Sequence, residues 1–84
     1  MLNVRLSKKA AKFLKNSPVE LYRRIYEKLE NLAIDPFPKD TKRVIGYKEK
    51  IFRIRVGDYR IIYSIDYNAN LILVIKIDNR EDVY

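Results

Sequence analysis

The dipeptide Gly57-Asp58 splits the stretch IFRIRVGDYRIIY, Ile51 to Tyr63, into two alternating halves and leaves its backbone little choice. Phe52, Ile54 and Val56 alternate with Arg53 and Arg55, and Tyr59, Ile61 and Tyr63 repeat the pattern after the turn. That period of two belongs to strands with one buried face. A two-residue loop with glycine in first place suits a type II′ turn, because glycine takes positive φ there at no steric cost. The register follows: Val56 opposite Tyr59, Arg55 opposite Arg60, Ile54 opposite Ile61 and Arg53 opposite Ile62. Phe52, Ile54, Val56, Tyr59 and Ile61 then share one face, while Arg53, Arg55 and Arg60 share the other.

Arg55 facing Arg60 carries a cost, since like charges directly across a ladder destabilise it by up to about 1 kcal/mol relative to a neutral pair. A polyanion docked on that face would offset the repulsion, because guanidinium groups stay protonated and present forked donors to phosphate oxygens. A solvated sheet face with three surface arginines is the alternative. The net charge of +7 on 84 residues favours an acidic partner: nucleic acid, the ribosome, an acidic protein or an anionic membrane. At 48% hydrophobic residues the chain has the apolar content of a globular protein, and residues 1–84 are expected to form one small domain.

Cysteine and histidine are both absent, which excludes thiol chemistry, disulfides, the common zinc-ligand patterns and imidazole as an acid or base. Glu81 and Asp82 are a carboxylate pair beside Arg80, a setting that favours ion pairing over metal binding, so no metal site is expected. No stretch is long enough to span a membrane, and Met1 to Arg5 lacks the apolar run of a signal peptide. A cytoplasmic location with no membrane partner is the expectation.

Along the chain, Leu2, Val4 and Leu6 alternate with polar residues as a short first strand. Ser7 is placed to cap a helix over Lys8 to Lys15, with Ala10, Ala11, Phe13 and Leu14 as its apolar stripe. Asn16-Ser17-Pro18 breaks that pattern, and Ser17-Pro18-Val19-Glu20 reads as a capping box opening a second helix that runs to about Ile34. Tyr22, Ile25, Tyr26, Leu29, Leu32 and Ala33 recur on one side of it, facing core or a partner. Asp35-Pro36-Phe37-Pro38 stops the helix.

A short strand at Arg43-Val44-Ile45, closed by Gly46, leads into the hairpin, whose second strand continues to Asp66. Tyr67-Asn68-Ala69-Asn70 reads as a turn. The run Leu71 to Asp78 has the apolar continuity of a central strand covered on both faces for most of its length. The chain is therefore predicted to be α+β: an N-terminal strand, then a two-helix hairpin packed on one face of a small, mainly antiparallel sheet. Tyr59 and Tyr63 fall on the helix side, as core residues with polar tips.

Taken together, the hairpin, the preceding KRVIGYKEK, the final NREDVY and the opening strand with its two helices resemble the RelE/ParE superfamily of small bacterial and archaeal toxins. The resemblance spans essentially the whole chain. Its most specific element is R-x-R-V-G-D-Y-R-I-I-Y followed, one strand later, by R-x-x-V-Y. It implies a RelE-like toxin fold and, for the RelE branch, a cofactor-free endoribonuclease that cuts messenger RNA in the ribosomal A site and inhibits translation. It also implies a RelB-like antitoxin as partner, with a toxin–antitoxin heterotetramer as one assembly. A ParE-like inhibitor of DNA gyrase and a non-catalytic basic module binding RNA or the ribosome are the alternatives.

By motif, the resemblance puts the catalytic positions at Arg53 and Arg55, at Arg60 after the turn, and at Arg80 and Tyr84 in the tail. Two departures matter. Asn79 stands where the family often has histidine, and Arg53 and Arg55 stand where lysines are familiar. Charge is kept but acid strength is not, because arginine is effectively always protonated and cannot act readily as a general acid. The arginines suit a scissile phosphate gaining charge in its transition state. Tyr84 is the candidate base, provided the tail folds back toward the hairpin so that the arginines favour its phenolate; a C-terminal aromatic anchor closing the core is the alternative.

Overall fold

The computed structural model describes residues 1–79, arranged as β1 (Asn3–Leu6), α1 (Lys8–Lys15), α2 (Val19–Ile34), β2 (Lys42–Val44), β3 (Ile51–Val56), β4 (Tyr59–Asp66) and β5 (Leu71–Asn79). The strands form one sheet in the order β1-β5-β4-β3-β2. Its last four members pair antiparallel and β1 runs parallel to β5. Both helices pack on one face of it, as the α+β expectation required.

Ser7 caps α1 as its position suggested, its hydroxyl accepting the Ala10 amide at 3.1 Å. The capping box expected at Ser17 does not form. Ser17 instead turns back, and its hydroxyl donates to the Phe13 carbonyl at 2.7 Å, while Pro18 occupies the cap position of α2 with no side-chain bond. The cause is the short link between the helices, which holds Ser17 against the last turn of α1, where carbonyls lack helical partners. Along α2 the apolar stripe divides. Ile25, Leu29, Leu32 and Ala33 are buried, whereas Tyr22 and Tyr26 stack on each other with ring centroids 6.1 Å apart and stay half exposed.

The β3–β4 hairpin has the register read from its turn, including Arg55 against Arg60. Gly57 has φ +60° and Asp58 is not among the positive-φ residues, as a type II′ turn requires. β2 begins and ends one residue earlier than expected, at Lys42–Val44, leaving Ile45 almost fully exposed before Gly46 turns the chain with φ +107°.

The expectation for the last strand needs correction on two points. β5 is interior, between β1 and β4, but the middle of the sheet is β4. Nor is β5 covered on both faces: Ile72, Val74 and Ile77 are buried under the helices, while Leu71, Leu73 and Ile75 are only half covered on the opposite face. Because both faces are apolar in sequence, continuity alone could not tell one covered face from two. β5 also carries a β-bulge. Tyr63 pairs with Val74 but Ile62 pairs with Lys76, so Ile75 has no opposite number on β4. The carbonyl of Ile75 instead accepts the Ser7 hydroxyl, and the Ser7 amide donates to the Val74 carbonyl at 2.9 Å.

The core lies between the helices and the sheet. Ile54, Val56, Ile61 and Tyr63 of the hairpin meet Ile72, Val74 and Ile77 of β5 beneath Ala10, Leu14, Ile25, Leu29 and Leu32. Tyr63 is fully buried and satisfies its one proton by donating to the Pro36 carbonyl at 2.7 Å. Burial pushes its phenol above the usual value, and Asp40 and Asp35 push the same way. The Thr41 hydroxyl, buried beside it, acts in the opposite direction. Tyr59 rests edge-on against Phe13 with centroids 5.7 Å apart, so both tyrosines belong to the helix side as expected.

Candidate functional site

The face of the sheet turned away from the helices is built from alternate residues of five strands. Across β3, β4 and β5 two rows stand side by side: Arg53, Ile62 and Lys76 in one, and Arg55, Arg60 and Asp78 in the next. Neighbouring strands lie about 4.8 Å apart, so the members of one row are close neighbours across the sheet. Lys42 extends the first row at the β2 edge, opposite Arg53. A groove of about 280 Å³ at that edge is lined by Asp40, Lys42, Arg53, Ile54 and Arg55.

The three arginines assigned to this face are all on it, in different states. Arg55 is exposed, Arg53 is partly covered, and Arg60 is buried to 6% exposure. Arg60 is not the open cation that alternation suggested. Its Nε lies 3.5 Å from Asp78 Oδ1, and Asp78 Oδ2 lies 3.4 Å from Lys76 Nζ. Asp78 thus supplies the counter-charge that makes Arg55 opposite Arg60 tolerable inside one chain. A polyanion is not needed to explain that pair. The other two expected site residues, Arg80 and Tyr84, lie outside the described residues.

Lys76 and Asp78 were missed by reasoning from sequence, and the bulge is the reason. With regular pairing outward from Tyr63 and Val74, even-numbered residues of β5 would keep facing the helices, so Lys76 and Asp78 would enter the core. The extra residue Ile75 reverses the alternation, sending Ile77 inward and Lys76 and Asp78 to the arginine face. The one sequence signal is local: Lys76 and Asp78 flank Ile77 in an otherwise unbroken apolar run.

Two apolar surfaces lie elsewhere on the molecule. At the end of the sheet away from the hairpin turn, a broad groove of about 880 Å³ includes Phe37, Ile51, Leu71, Leu73 and Ile75. On the helix side, Met1, Val4, Leu6, Tyr22, Tyr26 and Ile34 border a groove of about 330 Å³ between β1 and α2. Among the described residues there is no group of three or more acidic residues placed to hold a metal ion, and no helix is long and apolar enough to cross a membrane.

A strand, two helices and four antiparallel strands, with the helices on one face and arginines on the other, define the class of the RelE-type toxins. A structure of the RelE–RelB complex of Pyrococcus horikoshii OT3 superposes with a TM-score of 0.81 at 31% identity, covering 94% of each chain. The intact Escherichia coli RelBE complex gives the same TM-score of 0.81 at 16% identity, over 94% of this chain and 96% of that one, a likeness of fold alone. By sequence, a Methanocaldococcus jannaschii protein named as a candidate toxin, RelE1, is 33% identical over 98% of this chain and 93% of its own length. The family described as ParE toxin of type II toxin-antitoxin system, parDE, matches residues 4–84. The chain belongs to the RelE/ParE superfamily of type II toxins.

Proposed function

We propose that this toxin is a ribosome-dependent endoribonuclease of the RelE kind, acting on messenger RNA in the A site by attack of a 2′-hydroxyl on the adjacent phosphate. The observation that carries the reading is the gathering of Arg53, Arg55 and Arg60 on the sheet face turned away from the helices, in a chain of this family. The cleavage leaves a 2′,3′-cyclic phosphate and a free 5′-hydroxyl. Its transition state concentrates charge on the phosphoryl oxygens, and guanidinium groups held by a sheet bind that charge without reorganising. By the family motif, Arg80 is the proposed fourth phosphate-binding arginine and Tyr84 the proposed acceptor of the 2′ proton.

A RelB-like antitoxin is the proposed partner, since the P. horikoshii relative, at 31% identity, was solved with RelB. The basic sheet face and the two apolar grooves suit an acidic, partly helical chain that wraps the toxin. The site of action is proposed to be the cytoplasm, where ribosomes carrying messenger RNA are found.

The ParE name of the matching family supports a second reading, inhibition of DNA gyrase. One comparison separates the two: messenger RNA programmed into ribosomes is incubated with wild type, Arg55→Ala and Tyr84→Phe, the RNA ends are mapped, and gyrase supercoiling is assayed in parallel. Ribosome-dependent cuts with 2′,3′-cyclic phosphate ends, lost by about 10²-fold or more in each folded variant, are the expected outcome. Intact RNA together with blocked supercoiling would replace this reading by the second.

A further inference from the structure

Two pairs of like charges face each other on the basic side of the sheet, and only one of them is neutralised. Arg55 and Arg60 have Asp78, 3.5 Å from Arg60. Lys42 stands directly opposite Arg53, and among the described residues neither has an ion-pair partner, nor has Arg55 two residues further along β3. These three cations line the groove of about 280 Å³ at the β2 edge. The carboxylate in its wall, Asp40, is engaged at 3.8 Å by Lys28, which is not part of the groove. The groove therefore carries a surplus of positive charge, and the repulsion between Lys42 and Arg53 is left for a ligand to relieve.

The edge is also open to a polynucleotide strand. β2 begins at Lys42, so Ile54 and Arg55 have no residue opposite them on that side of β3. In a two-residue hairpin the pair flanking the loop, Val56 and Tyr59, exchanges hydrogen bonds, and the Arg55 amide accordingly points away from β4, toward the groove. Two guanidinium forks, an ammonium and a backbone N–H are donors that suit phosphodiester oxygens. Arg53 and Arg55 lie about 7 Å apart along β3, close to the separation of successive phosphates on an extended RNA strand. Resting on the nuclease reading above, we propose that this groove holds the messenger RNA phosphate adjoining the scissile one, and that Lys42, which lies outside the family motif, is its binding residue. Arg55 and Arg60 serve the scissile phosphate, Lys42 serves its neighbour, and Arg53, which stands between, is shared.

The test measures binding apart from cleavage. Messenger RNA with one 2′-deoxy residue at the cleavage position, which removes the attacking hydroxyl, is programmed into ribosomes, and the affinity of wild type, Lys42→Gln, Lys42→Arg and Arg43→Gln is determined. Arg43 is the control, being exposed and cationic but opposite Phe52, on the helix side of the sheet. Lys42→Gln is expected to bind about 3- to 10-fold more weakly, with Lys42→Arg and Arg43→Gln within about twofold of wild type. A neutral methylphosphonate is then placed at each of the two phosphates flanking the cleavage position. At one of them it is expected to weaken wild type as much as Lys42→Gln does, and to weaken Lys42→Gln no further. Wild-type affinity in Lys42→Gln, or equal weakening by Lys42→Gln and Arg43→Gln, would overturn the assignment. So would a Lys42→Gln loss that persists at both methylphosphonate positions, which would put the contact on ribosomal RNA. Wild type that binds the ribosomes but leaves unmodified messenger RNA uncut would instead overturn the nuclease reading, and the assignment with it.

Discussion

Arg60 and Arg55 face each other across the hairpin yet answer to different forces. Arg55 is exposed, so Arg55→Ala is expected to leave the unfolding free energy within about 0.5 kcal/mol of wild type while removing about 10²- to 10³-fold of cleavage. Arg60 is buried against Asp78, and truncating either partner strands a charge in a poorly solvated place. Asp78→Asn is expected to cost about 1–3 kcal/mol in urea unfolding. Tyr63 gives a second handle at this scale, because burial raises its phenol pKa above the ordinary value of 10.0. A raised folded-state pKa means that folding favours the protonated phenol. That stabilisation is complete below the unfolded-state pKa of about 10 and is lost as pH climbs through the folded-state value. Urea unfolding across this alkaline range should show stability falling in wild type, with Tyr63→Phe falling less steeply from a starting point about 1 kcal/mol lower at neutral pH.

Among the elements, the hairpin and the bulge do different work. The hairpin was legible because its turn residues and its alternation specify the same register, and one glycine sets that register. Gly57 has φ +60°, and a Cβ there would stand 3.0 Å from a terminal nitrogen of Arg24, so Gly57→Ala combines backbone strain with crowding. The expected loss is about 1–2 kcal/mol by chemical denaturation. The bulge in β5 was not legible, because every residue from Leu71 to Ile77 except Lys76 is apolar and either parity satisfies the pattern. Ser7 secures it from outside the sheet: one hydroxyl caps α1 and also donates to the Ile75 carbonyl, which has no opposite residue on β4. Ser7→Ala therefore removes a cap and leaves that carbonyl unsatisfied, and a thermal or urea melt should register about 1–3 kcal/mol of destabilisation.

For the molecule as a whole, sidedness and charge govern behaviour. The helices cover one sheet face and the cationic rows occupy the other, while the lysines of α1 add positive charge on the helix side, so the net charge of +7 is spread over both sides. On the proposed nuclease reading, that charge would steer the toxin toward the ribosome. The association rate with ribosomes is expected to drop at least about tenfold between roughly 50 and 200 mM salt, measured by stopped-flow fluorescence. A rate insensitive to salt would mean that apolar surface, not the basic face, guides the encounter.

The sequence by itself determined the element order, the bounds of both helices, the hairpin register and the side on which Arg53, Arg55 and Arg60 fall. These are consequences of local chemistry: capping residues, prolines, a turn glycine and alternation over short spans. Only the tertiary structure decided that β1 lies beside β5, that β5 has one covered face, and that Lys76 and Asp78 join the arginines. Each of these depends on which strands meet and in what register. A long apolar strand accepts several registers equally well until its neighbours, the helix above it and the hydroxyl of Ser7 select one.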